Sequence, residues 1–278
     1  MSVDLRRAAV ETGEVVGVER LGGGLIELSA RLPHLAAHAR PGEFAQLRCS
    51  HGVVPLLRRP FSVAWTEADV CSFVFEVVGA GTRLLAAMEA GDALDSLGPL
   101  GRGFNLEPAP ARAVCVSGGL GCAPFPLLLR ALRASGVADI IVLNGAAIAS
   151  RLYPAERFGR GDPAITVLEA TDDGSRGHRG YVTDLLDGVL TADAGLFACG
   201  PNRMLATLAG SVTDGRSAQA SLEAPMGCGF GTCLGCALPL RGEGGAPLWG
   251  LCCSDGPVMA LRAVDWEALV RMPSADVA

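Results

Sequence analysis

The sequence predicts a multidomain protein: an antiparallel β-barrel, then an α/β domain built on a parallel sheet, then a small metal-binding domain. Three changes of texture predict it. Short β-like runs broken by Gly and Pro fill residues 1–106, and longer apolar runs alternating with helix-like stretches fill 107–216. From 217 to 278 the chain is rich in Cys and Gly, and half of its ten cysteines fall between 228 and 253.

The first domain rests on runs at 14–18, 25–29, 44–49, 61–65 and 72–78. Short, closely spaced strands with turn residues between them suit a small antiparallel barrel. In the second domain, 113–117, 140–143, 165–169 and 196–199 are continuous apolar runs, as in parallel strands covered on both faces. Helix-like segments at 126–134, 182–190 and 203–212 lie between them, giving the alternation of a doubly wound sheet.

Composition narrows the functions. Half of the 278 residues are hydrophobic and 19% are charged, so the chain has ample core and is not of the disordered class. A net charge of −6 without a Lys/Arg block argues against a nucleic-acid partner. Apolar stretches such as 124–129 break within about ten residues, short of the roughly 18 to 20 that cross a bilayer. The start, Met1-Ser-Val-Asp-Leu-Arg-Arg7, lacks the apolar stretch of a secretory signal, and a cytoplasmic protein is expected.

Clustered thiols in such a chain point to metal rather than to disulfides. Cys228, Cys233 and Cys236 have C-x4-C-x2-C spacing, and Cys252-Cys253 follows at a distance. That is the plant-type arrangement for a 2Fe–2S cluster, with the fourth thiolate from either member of the adjacent pair. Two bridged irons need four thiolates from a wrapped loop. Gly227, Gly229, Gly231 and Gly235 keep side chains off the backbone that wraps them. The competing reading is structural zinc, which normally shows paired C-x2-C knuckles; this chain has one such pair.

Several turns suit nucleotides. Arg59-Pro60-Phe61-Ser62 sets a guanidinium beside a fixed turn, a match for phosphate oxygens. Gly79-Ala-Gly81-Thr82 leads into an apolar helix at 84–88 and offers backbone N–H groups to an anion. Gly118, Gly119 and Gly121 follow the strand at 113–117 and precede a helix, as in the first βα turn of a nucleotide domain. Cys199-Gly200-Pro201 ends the strand at 196–199, where ligands of such sheets bind. Asp172 and Asp173 follow the strand at 165–169; carboxylates there bond a ribose and repel a 2′-phosphate, which favours NAD over NADP. Each segment also reads as an ordinary turn. His34, His38, His51 and His178 lack metal-ligand spacing and are expected at the surface or in loops. Cys49, Cys71 and Cys115 are expected as small core residues.

Taken in order, Arg59-Pro-Phe-Ser62, Gly79-Ala-Gly-Thr82, Gly98-Pro-Leu-Gly101, Gly118-Gly-Leu-Gly-Cys-Ala-Pro124, Thr171-Asp-Asp-Gly-Ser175 and Cys199-Gly-Pro201 resemble the ferredoxin–NADP reductase superfamily. The appended Cys228-Gly-Phe-Gly-Thr-Cys-Leu-Gly-Cys236 and Cys253-Ser-Asp-Gly-Pro-Val258 narrow the likeness. They resemble the electron-transfer subunits of NAD-dependent dihydroorotate dehydrogenases, over residues 41–259.

The resemblance implies an FAD-binding barrel, an NAD domain and a 2Fe–2S tail. It implies that Arg59, Pro60, Phe61, Ser62, Gly81 and Thr82 hold FAD, with Val74, Phe75 and Glu76 on the preceding strand touching it. The family has Tyr-Arg where this chain has Phe75-Glu76, so the ring is kept and the charge reversed. The family's fourth ligand directly precedes x-Asp-Gly-Pro, which selects Cys253 and leaves Cys252 to pack beside Leu251. The implied activity is electron transfer in pyrimidine biosynthesis. Electrons would come from an FMN-containing dihydroorotate dehydrogenase subunit, through cluster and FAD, to NAD+, within a heterotetramer. No acid–base residue is demanded.

Val264-Asp265-Trp266 is similar to the small subunit of NADH-dependent ferredoxin–NADP transhydrogenases. Some of those have Asp for the first Cys, so Cys228 favours the dihydroorotate assignment. A transhydrogenase or hydrogenase-type subunit is the second reading. A non-catalytic metal-binding scaffold is the third.

Overall fold

The computed structural model describes residues 7–50, 52–212 and 217–272; His51 lies outside the described residues. In the N-terminal part, β1 (Ala9–Gly22), β2 (Leu25–Arg31), β3 (Phe44–Leu47), β4 (Arg59–Ser62), β5 (Trp65–Glu67), β6 (Val70–Glu76) and β7 (Ala93–Leu100) form one sheet. Its order is β4-β3-β7-β1-β2-β6-β5, antiparallel throughout, an antiparallel half-barrel. β1 bends the sheet because it changes partner along its length. It pairs with β7 up to Glu14 and with β2 beyond, and irregularities at Val15–Gly17 and Arg20–Gly22 increase its twist.

Strand alternation decides which side chains fill the barrel. Ile26, Leu28 and Ala30 of β2 meet Cys71, Phe73 and Phe75 of β6 inside it, while Leu25 and Val74 face the next domain. The expected strand at 61–65 is two strands, because the chain changes partner between β4 and β5: Val63 N donates to Glu43 O at 3.1 Å, whereas Ala64 N donates to Ser72 O of β6 at 2.9 Å. β7 was not expected at all. Its Asp95, Ser96 and Gly98 dilute the apolar pattern, yet it lies in mid-sheet between β3 and β1.

The second sheet runs β11 (His178–Arg179), β10 (Ile165–Thr171), β9 (Asp139–Ala146), β8 (Arg112–Gly118), β12 (Ala194–Cys199), β13 (Ala218–Ser221) and β16 (Val258–Ala260). All its pairs are parallel except β13 with β16. The helix Phe125–Ala134 carries Pro126 in its first turn and buries Phe125, Leu128, Leu129 and Leu132. The helix Asn202–Ser211 occupies the segment expected at 203–212. The expected helix at 182–190 is instead a 3-10 segment at Val182–Gly188. Its seven residues end at Gly188, and tighter turns suffice to bury Val182 and Leu186.

The cysteine-rich segment is threaded through an edge of this sheet. β13 leads into it and β16 returns from it, while β14 (Ala237–Arg241) and β15 (Pro247–Leu251) make a separate hairpin. One core runs from Val114, Leu196 and Ala220 to Cys236, Cys252, Cys253 and Trp266. Phe44 and Leu100 of the barrel join that core. Among the described residues no helix is long and apolar enough to cross a membrane.

Candidate cofactor sites

Strand order creates the first candidate site. β9, β10 and β11 extend to one side of β8, whereas β12 and β13 extend to the other, so the winding reverses between β8 and β12. Ligands of open α/β sheets bind at the carboxyl ends of strands flanking such a reversal. Gly118 and Cys199 end the two strands, in adjacent registers. The two loops touch backbone to backbone. A Cβ on Gly121 would lie 2.0 Å from the Cys199 carbonyl oxygen, and one on Gly118 would strike Met204 and Pro201. Gly200, at φ +154, would meet Met204 and Gly118 in the same way. Gly119 (φ +56) meets nothing and only turns the chain. Gly118, Gly119, Gly121 and Gly200 bring no Cβ of their own to this turn, as a backbone cradle for a diphosphate requires.

Asp172 and Asp173 lie exposed past the end of β10. Asp173 Oδ1 accepts bonds from the Ser175 hydroxyl (2.6 Å) and amide (2.9 Å), and these hold its carboxyl below the usual range. Part of its hydrogen-bonding capacity is therefore spent on the turn.

The flavin candidates lie on β4, β6 and the start of the helix Ala80–Leu85. This helix begins four residues earlier than the expected 84–88, which places Gly81 and Thr82 inside its first turn. The Thr82 hydroxyl accepts from Val78 N (2.9 Å) and Gly79 N (3.1 Å), so it organises the turn itself. Gly81 lets the helix approach Arg59: a Cβ there would be 3.5 Å from Arg59 Cγ and 3.1 Å from Cys49 Sγ. Arg59 Nη1 donates to the Leu57 carbonyl at 2.9 Å. Phe61 and Phe75 meet edge to face with centroids 5.3 Å apart, in the barrel core. Val74 is buried toward the nucleotide domain. Pro60 and Ser62 are half-buried on the strand that pairs with β3. Glu76, where the charge is reversed, is held by Arg151 at 3.1 and 3.2 Å.

The four candidate thiols fall into two pairs. The Cys228 thiol is hydrogen-bonded to the Cys233 side chain and accepts from the Cys233 amide at 3.4 Å, and Cys236 lies 3.1 Å from Cys253, sulfur to sulfur. Two thiols per iron is what a two-iron cluster demands. Gly231 N donates to Cys253 Sγ (3.2 Å) and Cys253 N to Cys236 Sγ (3.4 Å), so the loop turns its amides toward sulfur. Desolvation opposes ionisation of Cys228, but the amides of Cys233, Phe230 and Thr232 bring its thiol down to about 6. Burial and then the Cys236 side chain push the free Cys253 thiol the other way, up to about 12. The amides aimed at Cys228, Cys236 and Cys253 fit a group held through sulfur.

Cys252 and Cys253 part company. Both are buried, but the Cys252 thiol donates to the Leu222 carbonyl at 3.4 Å, whereas Cys253 faces Cys236. The barrel fixes this loop: Arg102 N donates to Gly256 O at 2.6 Å, and Arg102 Nε to Ser254 O at 3.2 Å. Gly101 (φ +81) presses against Pro257, which accounts for the last glycine of Gly98-Pro-Leu-Gly101.

The iron–sulfur cluster binding domain of dihydroorotate dehydrogenase B matches residues 223–265. The electron transfer subunit of dihydroorotate dehydrogenase B (NAD(+)) from Bacillus caldolyticus is 39% identical over 237 residues, covering 84% of this chain and 89% of that one. The chain belongs to this family.

A second member, from Bacillus cereus (strain B4264), is 35% identical over 255 residues, covering 90% of this chain and 96% of its own. Among solved structures, the NADH-dependent reduced ferredoxin-NADP oxidoreductase superposes with TM-score 0.79 at 27% identity, over 93% of this chain and 91% of that one. A ferredoxin NADP+ reductase from Neisseria gonorrhoeae shares the fold, with TM-score 0.59 at 20% identity, over 70% of this chain and 87% of that one. Within the family frame, the sequence signalled the cysteines and glycine turns but gave no signal for Arg151 or Arg102. Each acts on a residue at least 75 positions away, which no local pattern records.

Proposed function

We propose that this chain carries reducing equivalents from a partner dihydroorotate dehydrogenase subunit to NAD+. Cys228, Cys233, Cys236 and Cys253 would hold a 2Fe–2S cluster. Arg59–Ser62, Val74–Glu76, Gly81 and Thr82 would hold FAD. Gly118, Gly119, Gly121, Asp172, Asp173 and Cys199–Pro201 would hold NAD. When bound, these groups supply one-electron and hydride chemistry, and FAD is suited to link the two. Dihydroorotate would give up two electrons and two protons at the partner, and NAD+ would take two electrons and one proton here.

The chain's own residues bind and orient. The Gly121–Cys199 contact lets a dinucleotide approach the backbone, and Arg59 offers a flavin phosphate charge-assisted bonds. The Arg102 contacts hold the Cys253 loop against the barrel, which keeps the cluster segment and the flavin turn in one rigid frame. The division into a flavin domain (1–106), a nucleotide domain (107–216) and a cluster domain (217–278) belongs to this proposal, with β13 and β16 lending strands to the nucleotide sheet. So do a heterotetramer with the FMN-containing partner, and the cytoplasm as location.

The pairing of the four thiols carries the reading. Its test is co-purification with the partner from the native host, cofactor extraction, and assay of dihydroorotate-driven NAD+ reduction. FAD and two irons per chain with that activity are expected. Zinc without iron, or FMN as the only flavin of the isolated chain, would overturn it. The transhydrogenase reading draws on the 0.79 superposition; ferredoxin-linked rather than dihydroorotate-linked turnover would select it.

A further inference from the structure

Gln46 lies on β3, between barrel and cysteine loop, and is fully buried. Its neighbours Ala45 and Leu47 fill the barrel core, so alternation turns Gln46 the other way, with Phe44, toward the cysteine segment. There it meets Gly229, the residue after Cys228. A Cβ on Gly229 would stand 2.6 Å from Gln46 Nε2 and 2.7 Å from its Cγ. The amide end of Gln46 thus lies directly across the backbone of the ligand loop. Neither Nε2 nor Oε1 has a hydrogen-bond partner among the described residues.

A buried, unbonded carboxamide is unfavourable, and a side chain of the same length without polar atoms would fill the space equally well. The observation calls for an acceptor on the loop side. Backbone amides of that loop already point at sulfur, from Gly231 to Cys253 and from Cys233 to Cys228. We propose that the Gln46 carboxamide donates a hydrogen bond to a sulfur of the iron–sulfur cluster, and so tunes its reduction potential from the barrel side. This inference rests on the cluster reading given above.

The chemistry follows from charge. Four thiolates make the cluster anionic, and reduction adds one more negative charge. A donor N–H therefore stabilises the reduced form more than the oxidised form and raises the potential. The glutamine joins the flavin-binding barrel to the cluster, because Gln46 pairs in register with Pro60 of β4.

The test needs no substitution to begin. The chain has two glutamines, Gln46 and Gln219, and Gln219 is engaged with the Asn105 backbone. Wild-type protein labelled with side-chain 15N-glutamine is loaded with iron and sulfide, reduced and examined by pulsed EPR. A 15N coupling to the cluster spin is expected. Gln46→Met should bind the same iron and sulfide, lose that coupling, and show a lower cluster midpoint in an EPR-monitored titration, so that the reduced fraction at fixed potential falls several-fold. Gln46→His, which keeps a ring N–H, should recover part of the midpoint. No 15N coupling in the wild type overturns the proposal, and so does a Gln46→Met midpoint unchanged or shifted only at the flavin. Wild-type protein that takes up no iron sinks the cluster reading itself, a failure visible before any spectrum is compared.

Discussion

Glu76 of the barrel is clasped by Arg151 of the nucleotide domain, whose Nη2 lies 3.1 and 3.2 Å from the two carboxylate oxygens. The pair belongs to a seam of one polarity. Glu27, buried on β2, lies 2.6 Å from Arg160 and 3.6 Å from Arg157, which also bonds Glu19. In each pair the barrel gives the carboxylate and the nucleotide domain gives the guanidinium. Trp65 is covered by the guanidinium groups of Arg130 and Arg160, 4.4 and 4.8 Å from its ring centroid.

Reversing one charge of the clasp sets like charges together, and reversing both restores it. Glu76→Arg and Arg151→Glu should each lower the melting temperature, and the double variant should recover most of the loss. Arg151 is half exposed, so the coupling should be modest, about 0.5–1 kcal/mol. A double variant no better than the sum of the singles would show that the pair carries no coupling.

Arg59→Ala should release FAD while the iron content is kept. The guanidinium sits beside Gly81 and is the candidate cation of that turn, whereas the thiols lie on a separate segment. Losing one charge-assisted bond costs about 1.5–3 kcal/mol, roughly a 10- to 100-fold weaker flavin affinity. Titration of apoprotein with FAD checks this; unchanged affinity would place the phosphate elsewhere.

Gly121→Ala should destabilise the nucleotide domain by about 1–3 kcal/mol or more, because a methyl cannot share 2.0 Å with a carbonyl oxygen. NADH affinity should fall with it, since relief requires the two loops to part. Gly119→Ala faces open space and should cost far less, although its φ of +56 makes the turn less comfortable. Chemical denaturation and NADH titration of the two variants give the comparison.

NADH should be preferred to NADPH by about tenfold or more, as a carboxylate near a 2′-phosphate commands at least ~1.4 kcal/mol. Asp173 is tied to Ser175, so the discrimination should follow Asp172 more than Asp173. Steady-state diaphorase assays of the wild type, Asp172→Asn and Asp173→Asn decide it. Equal efficiency with both nucleotides in the wild type would refute the assignment.

Cys253→Ser should abolish or grossly change the visible and EPR spectra of the cluster, whereas Cys252→Ser should leave them intact. The thiol of Cys252 is committed to the Leu222 carbonyl, while that of Cys253 lies against Cys236. The opposite pattern would move the ligand by one residue.

Much of this protein is written locally. Cysteine spacing, the glycine turns after β8 and β12, and the apolar runs of the parallel strands depend on near neighbours in the chain. They were legible because covalent spacing and strand period fix them. The half-barrel was legible as a class but not strand by strand. β7 mixes Asp95, Ser96 and Gly98 with its leucines; pairing with β1 and β3 sets it in mid-sheet, where Leu94 joins the barrel core and Leu100 the core of the cysteine segment.

Tertiary structure decided the rest. Spacing left Cys252 and Cys253 equivalent and only the resemblance pointed to Cys253; folding parts them, because one thiol turns to Leu222 and the other to Cys236. Glu76 read as a misplaced charge until Arg151 came to meet it from 75 residues away. Gln46 falls inside the β-like run at 44–49, and only the fold sets Gly229 across its amide. Sequence determines what each segment can become, since backbone preference and side-chain period are local. Which charge finds a partner and which amide is left without one depends on surfaces brought together by burial, and those surfaces exist only once the chain has folded.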